Sequence, residues 1–230
     1  MKRILLVGGG SGGHVYPLIA VADALREKAQ VSGLSIELKL WGSGDFIYRV
    51  GTESNLSVTK IISGKLRRYF SILNLLDFFK LALGFIQSLI LMFLYMPDIV
   101  FAKGGSDSVM PSIVAKLYFI PVITHESDAI PGLANKIIAK VADKILLSYG
   151  SSQQFFNMQK IAVVGNPVRR DILLGEKNSA MDFFKLDPTK PTLLFLGGSQ
   201  GAKRINNLLL DSLVQMTKDY QIIHQCGDSQ

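Results

Sequence analysis

The chain has 230 residues, 48% of them hydrophobic and 19% charged, with 25 Lys and Arg against 18 Asp and Glu. That composition excludes a disordered or fibrous chain, and the formal charge of +7 favours anionic partners such as phosphates, nucleic acid or acidic lipid without choosing among them. One cysteine, Cys226, excludes an intramolecular disulfide framework and a multi-cysteine metal cluster, and suits a reducing cytosol.

Met1-Lys2-Arg3 precede only four apolar residues before Gly8-Gly9-Gly10, too few for the apolar region of a signal peptide. Short apolar, β-branched runs then alternate with longer helical patterns, which predicts a parallel sheet with crossover helices. Strands are expected at residues 4–7, 36–41, 57–62, 99–102, 122–124, 145–148 and 161–164, and helices at 15–28, 70–95, 108–118 and 133–141. Pro17 falls near the start of the first helix, where a missing N–H costs little. Residues 81–96 carry no charge but fall short of the roughly 20 apolar residues that span a bilayer, so this segment is expected as a buried or surface-lying helix. Gly165-Asn166-Pro167 reads as a turn, and after a polar stretch with a short helix near 180–185 the pattern restarts: strand 192–196, glycine loop, helix 202–218 and strand 221–224. A domain boundary is therefore expected at 164/165, giving domains 1–164 and 165–230. The second, at sixty-five residues beyond Gly165, is expected to be only begun.

Both halves open with strand, glycine loop and helix: Val7-Gly8-Gly9-Gly10-Ser11-Gly12-Gly13-His14, and Leu196-Gly197-Gly198-Ser199-Gln200-Gly201. Glycines after a strand let backbone N–H groups and the positive end of a helix approach an anion such as a phosphate; a tight turn with no ligand is the alternative. A G-x-G-x-x-G match raises a nicotinamide or flavin cofactor, but the second strand ends Leu38-Lys39-Leu40-Trp41-Gly42 without the acidic residue a ribose requires, and neither loop has the Gly-Lys-Ser/Thr of a P-loop. His14 is placed where an open α/β sheet binds its ligand, able to accept a proton from an attacking hydroxyl or to bond a phosphate; packing or capping is the plain alternative. Lys103-Gly104-Gly105-Ser106-Asp107-Ser108 and His125-Glu126-Ser127-Asp128, each following an apolar strand, bring polar groups to the same edge. His125 and Glu126 are adjacent, point apart and have no evident third ligand, so no metal site is expected.

Residues 60–80 hold Lys60, Lys65, Arg67, Arg68 and Lys80 against Asp77 alone, beside aromatic residues that include Phe78 and Phe79. Basic groups along an apolar face suit an interfacial helix on an acidic leaflet, each worth about 1 kcal/mol near the surface. A crossover helix with a solvated basic rim is the alternative, and nucleic acid is disfavoured because no recognition module accompanies the charge.

The stretches Gly9-Gly10-Ser11-Gly12-Gly13-His14-Val15-Tyr16-Pro17, Gly104-Gly105, Ile120-Pro121-Val122-Ile123-Thr124-His125-Glu126, Pro131-Gly132-Leu133-Ala134-Asn135, Val164-Gly165-Asn166-Pro167-Val168-Arg169 and Gly197-Gly198-Ser199-Gln200-Gly201-Ala202 run through nearly the whole chain. In this order they resemble the MurG family of glycosyltransferases. The resemblance implies an α/β, GT-B type fold with a Rossmann-like, doubly wound first domain, and inverting, metal-independent transfer with no cofactor. It implies UDP-N-acetylglucosamine as donor and an undecaprenyl-linked muramyl acceptor, at the cytoplasmic face of the bacterial inner membrane, docked through the patch Lys65, Arg67, Arg68, Phe78, Phe79 and Lys80. By matching positions, His14 is the catalytic candidate, as base for the acceptor hydroxyl or as a diphosphate contact; Ser11, Gly12, Gly13, Asp128, Arg169 and Ser199 bind substrate, with the first three in the loop near the diphosphates, Arg169 and Ser199 on the donor's diphosphate and Asp128 at the donor sugar; Gly104, Gly105, Ser106, His125, Glu126 and Gln200 are acceptor or loop candidates. A charged Arg and loop N–H groups suit a departing UDP. Asp128 stands where the family usually has Asn, and Ser106-Asp107-Ser108 where it has Tyr-Val-Ser. The family's uracil- and ribose-binding segment falls beyond the position of Gln230, so the chain alone is expected to be inactive or nearly so. The alternative is a non-catalytic, membrane-docking acceptor-binding subunit of a split glycosyltransferase; an oxidoreductase is a weak third.

Overall fold

The computed structural model describes residues 1–64, 73–198 and 201–227, the side chains of 73–76 excepted. The chain divides into two compact units, Met1–Arg169 and Arg170–Gln230. In the first, chain order is β1 (Lys2–Val7), α1 (Gly12–Val31), β2 (Ile36–Gly42), α2 (Asp45–Glu53), β3 (Ser57–Lys60), α3 (Leu73–Tyr95), β4 (Ile99–Ala102), α4 (Ser106–Leu117), β5 (Val122–Glu126), α5 (Leu133–Val141), β6 (Lys144–Leu147) and β7 (Ile161–Val163). The strands form one parallel sheet in the order β3-β2-β1-β4-β5-β6-β7. From β1 the chain winds outward to β3, then crosses back to β4 and winds outward the other way. The direction reverses between β1 and β4, and in an open α/β sheet the crevice outside the carboxyl ends at that point is where ligands bind.

Period-two alternation sorts the strand residues between two cores. Leu5 and Val7 of β1 join Val100, Ala102, Met92, Val114 and Ile138 in a core on the side of α3, α4 and α5. Leu6 joins Leu40, Phe101, Val15, Leu18 and Ile47 on the side of α1 and α2. Burial on both faces explains why these strands read as continuous apolar runs.

α1 begins at Gly12, three residues before the expected start, so Gly12, Gly13 and His14 form its first turn. Pro17 therefore lies more than a turn inside the helix and removes the bond that the Gly13 carbonyl would accept from residue 17. β3 stops at Lys60 because Ile61 N turns to the Gly42 carbonyl and Ile62 N donates to Gln87 Oε1 of α3 at 2.7 Å, while Gln87 Nε2 reaches the Lys60 carbonyl. A side chain of α3 thus closes the open sheet edge. α3 holds a 19-residue stretch, Asp77–Tyr95, long and apolar enough to cross a membrane by length and composition, which corrects the shorter span read from 81–96. The same helix is docked through Ser88, Met92 and Tyr95, all buried.

In the second unit a short helix α6 (Lys177–Phe184) precedes β8 (Thr192–Leu196), α7 (Lys203–Met216) and β9 (Gln221–Gln225). β8 and β9 pair in parallel. Asn206 of α7 donates to the Cys226 carbonyl at 2.9 Å and its Oδ1 lies 2.9 Å from His224 Nε2, fixing the helix over the end of β9.

Candidate functional site at the carboxyl edge of the first sheet

The β1–α1 loop leaves the ladder at Gly8, whose N–H donates to the Trp41 carbonyl at 3.1 Å. Gly10 takes φ of +87°, open to glycine at no steric cost, and nothing lies within 4 Å of where its side chain would be. Ser11 caps α1 with extended backbone; its carbonyl accepts from the N–H groups of His14 and Val15, and its side chain makes no capping bond. The first amides of α1 and the Ser11 hydroxyl therefore stand at the positive end of a helix, the arrangement that receives an anion.

Asp107, in the first turn of α4 and almost fully buried, holds this loop in place. Its Oδ2 accepts from Ser43 N at 2.7 Å and Ser43 Oγ at 2.8 Å, joining α4 to the turn after β2. The carboxylate also occupies the space that a side chain on Gly9 would need. Ser106 Oγ sits 3.4 Å from Asp107 Oδ1, and Ser108 Oγ donates to the carbonyls of Val7 and Gly104.

The His14 ring lies against the Gly104-Gly105 turn: the position of a β-carbon on Gly105 is 3.6 Å from both His14 Cδ2 and Nε2. Its Nδ1 is buried and makes no hydrogen bond among the described residues. Burial lowers the His14 pKa below its ordinary 6.5, and the Lys103 charge pushes the same way; a hydrogen bond with the Lys103 backbone and the charges of Asp128 and Glu126 oppose them. The balance favours neutral imidazole at neutral pH, the form that accepts a proton.

His125 and Glu126 are the last two residues of β5 rather than part of the loop beyond it, paired with Leu146 and Leu147 of β6. Alternation sends them to opposite faces. Glu126 accepts from Asp128 N at 2.8 Å, Asn135 Nδ2 at 2.9 Å and Gly132 N at 3.3 Å, so its carboxylate shapes the 127–132 loop and ties it to α5. His125 is fully buried, with Nε2 3.0 Å from the Gly165 carbonyl and 3.4 Å from Ser148 Oγ. A donor to a carbonyl carries its hydrogen on Nε2, and burial lowers the pKa of this ring too.

Arg169 stacks its guanidinium 4.4 Å from the centre of the Tyr16 ring, which brings it to α1. The edge thus gathers Ser11, Gly12, Gly13, His14, Gly104, Gly105, Ser106, Glu126, Asp128 and Arg169. Ser199 and Gln200 lie outside the described residues, as do Lys65, Arg67 and Arg68. Phe78 and Phe79 are 65% and 57% exposed on α3, next to exposed Lys80. Among the described residues no three His, Cys, Asp or Glu side chains come together as metal ligands. Two residues at this edge carry no expected role. Lys103 is fully buried and donates from Nζ to Ser127 Oγ at 2.8 Å; Asp107 is the clamp just described. Their only trace in the sequence is a charge directly after an apolar strand and an acid opening a helix.

A parallel sheet that reverses direction beside a glycine loop, followed by a second unit that opens the same way, defines an α/β protein of the GT-B type. Residues 4–147 match the glycosyltransferase family 28 N-terminal domain and residues 192–230 the family 28 C-terminal domain. The chain belongs to glycosyltransferase family 28. It is 39% identical over 241 residues to the UDP-N-acetylglucosamine--N-acetylmuramyl-(pentapeptide) pyrophosphoryl-undecaprenol N-acetylglucosamine transferase of Treponema denticola, a match covering 100% of this chain and 60% of that protein. The protein of the same name from Legionella pneumophila is 40% identical over 226 residues, covering 97% of this chain and 61% of its own length. The chain spans about 60% of the length of these curated relatives. Among solved structures, MurG of Acinetobacter baumannii matches with a TM-score of 0.69 at 24% identity, over 100% of this chain and 62% of that one. MnaA of S. aureus, solved with UDP, matches at 0.67 and 12% identity, over 100% and 63%. Both likenesses concern the fold.

Proposed function

We propose that the chain supplies the acceptor-side domain and the opening of the donor domain of an enzyme that moves N-acetylglucosamine from UDP-N-acetylglucosamine to an undecaprenyl-diphosphate-linked muramyl pentapeptide. The observation that carries this is His14: a half-buried imidazole favoured in its neutral form, in the first turn of α1, beside amides able to hold a diphosphate. In the transfer, the acceptor hydroxyl oxygen bonds to the anomeric carbon as that carbon's bond to the UDP oxygen breaks, inverting the centre. His14 takes the hydroxyl proton, and UDP leaves with the bonding pair. Arg169 and the amides at the start of α1 stabilise the charge on the departing diphosphate, and Asp128 accepts from sugar hydroxyls.

The test is a chimera in which Gln230 is joined to the remaining C-terminal segment of the Treponema denticola relative, assayed for transfer of labelled N-acetylglucosamine to lipid acceptor. Labelled lipid product is expected, falling by about 10²-fold or more in His14→Ala, the span of a general base. A folded chimera without product overturns the proposal.

The same reading places the protein on the acidic cytoplasmic face of a bacterial inner membrane through Phe78, Phe79 and Lys80 of α3 with Lys65, Arg67 and Arg68. A second reading is a non-catalytic acceptor-binding chain that works with a separate donor polypeptide; the apolar surface of the second unit suits a covering segment, whether on the same chain or on another. Leu194 and Leu196 of β8 are 60% and 61% exposed, and Leu208, Leu210 and Val214 of α7 are exposed as well. Activity restored by a donor domain added as a separate polypeptide, and not needing fusion, would support it.

A further inference from the structure

Among the described residues of the first unit, Lys103 is a charged side chain with no exposure to solvent, and no role assigned so far uses it. Its backbone N–H extends the β1–β4 ladder by donating to the Val7 carbonyl at 2.9 Å, which fixes the stem beneath the first glycine loop. A β-carbon on Gly8 would lie 3.3 Å from Lys103 Cβ and 3.8 Å from the His14 carbonyl, so the lysine and the start of α1 face each other across that glycine. Nζ donates to Ser127 Oγ at 2.8 Å. Ser127 opens the loop whose next residue, Asp128, is bound through its N–H to Glu126. A buried ammonium is costly unless it is bonded and compensated, and Glu126 and Asp128 provide the negative charge, offsetting in part the downward pull of burial on the Lys103 pKa.

We propose that Lys103 is a positioning residue of the site: a buried cation that anchors the 127–132 loop through Ser127 and stands, across Gly8, against the first turn of α1 that carries His14. One side chain then couples the placement of Asp128 to the protonation state of His14. Other charged groups at this edge are Glu126 and Asp128, which act against Lys103 on His14, Asp107 behind Gly9, and Arg169 over Tyr16. The mechanistic meaning rests on the role proposed for His14, whereas the electrostatic coupling and the loop anchor stand without it.

The experiment follows histidine ring signals by NMR through a pH titration of this chain, together with amide exchange of the 127–132 loop. His224, in the second unit, serves as the internal reference. In Lys103→Met, close to isosteric and neutral, the His14 titration is expected to move to higher pH and the loop amides to lose protection, with His224 unmoved. In Ser127→Ala the loop amides lose protection while the retained cation keeps His14 low, an outcome that loss of structure alone would not give. A folded Lys103→Met with His14 unmoved overturns the coupling, and Ser127→Ala with unchanged exchange overturns the anchor. Should Lys103→Met fail to fold, the Lys103 Cε signal in the wild-type chain decides: an ammonium deprotonated at neutral pH overturns the fixed cation, and one still protonated supports it. Failure of sugar transfer in the chimera leaves each of these results readable.

Discussion

Glu126 offers the sharpest separation between a carboxylate that does chemistry and one that builds the site, and Glu126→Gln tests it. The native carboxylate gives Oε1 to Asp128 N at 2.8 Å and Oε2 to Asn135 Nδ2 at 2.9 Å and Gly132 N at 3.3 Å. All three partners are donors. A glutamine brings one acceptor oxygen and one further donor. In its better orientation the oxygen takes the Oε2 place and the amide nitrogen faces Asp128 N–H, donor against donor. One bond to a charged acceptor is lost, worth about 1.5–3 kcal/mol, and a buried donor without an acceptor costs about 1–3 kcal/mol more. Because Asp128 N is only partly buried, water recovers some of this, and about 2–4 kcal/mol is expected. For a unit of this size that lowers Tm by roughly 4–16 °C. Trp41 is the only tryptophan and is buried in the core shared by β1 and β4, so its fluorescence in urea reports the first unit alone. A variant within about 0.5 kcal/mol of wild type, the range of an ordinary surface substitution, would refute the structural assignment and leave Glu126 as a candidate for contact with the acceptor.

Three further outcomes follow from the same geometry. Gly9→Ala places a methyl group against the Asp107 carboxylate and is expected to cost about 1–3 kcal/mol; a double-mutant cycle with Asp107→Ala, read by urea unfolding, gives a coupling of opposite sign to the single losses if that contact is the cause. Acid weakens the first unit through His14 and His125. His14 and His125 both have folded pKa values below 6.5, so the unfolded chain binds their protons first, and stability falls as pH drops from about 6.5 through the folded values, by up to about 1.4 kcal/mol per pH unit for each ring. A flat urea midpoint between about pH 7.5 and pH 5 contradicts this. Phe78→Ser with Phe79→Ser removes two exposed rings worth about 1.5–3 kcal/mol each when buried, so binding to vesicles of acidic phospholipid, measured by co-sedimentation, is expected to fall at least tenfold; unchanged binding would point the membrane reading elsewhere.

What the sequence discloses is what local pattern carries. β4 and α5 fall where periodicity places them, and the strand, glycine loop and helix of each half are visible because the apolar run, the glycines and the following periodicity lie within a few residues of one another. α2 is not marked by local pattern: Gly51 lies inside it and argues against a helix. A β-carbon there would meet Val58 Cγ2 at 2.6 Å and Leu40 Cδ2 at 2.8 Å, so the glycine serves the close packing of α2 on β2 and β3, a tertiary demand that no short window displays. His14 stands out for the opposite reason, since its place depends on the turn that immediately precedes it. Lys103, Glu126 and Ser127 acquire their roles only when β4 and β5 lie side by side, which pairs Ala102 with Thr124 and brings residues 24 apart in sequence to 2.8 Å. Asp128 is the instructive case. Read alone, an acid where an amide is usual in the resembled family weakens the donor site; read with Lys103, it is one of two carboxylates that compensate a buried ammonium. The departure therefore belongs to the pair, and substituting Asp128 by Asn without altering Lys103 is expected to leave that cation less compensated and more easily deprotonated than it is in this chain.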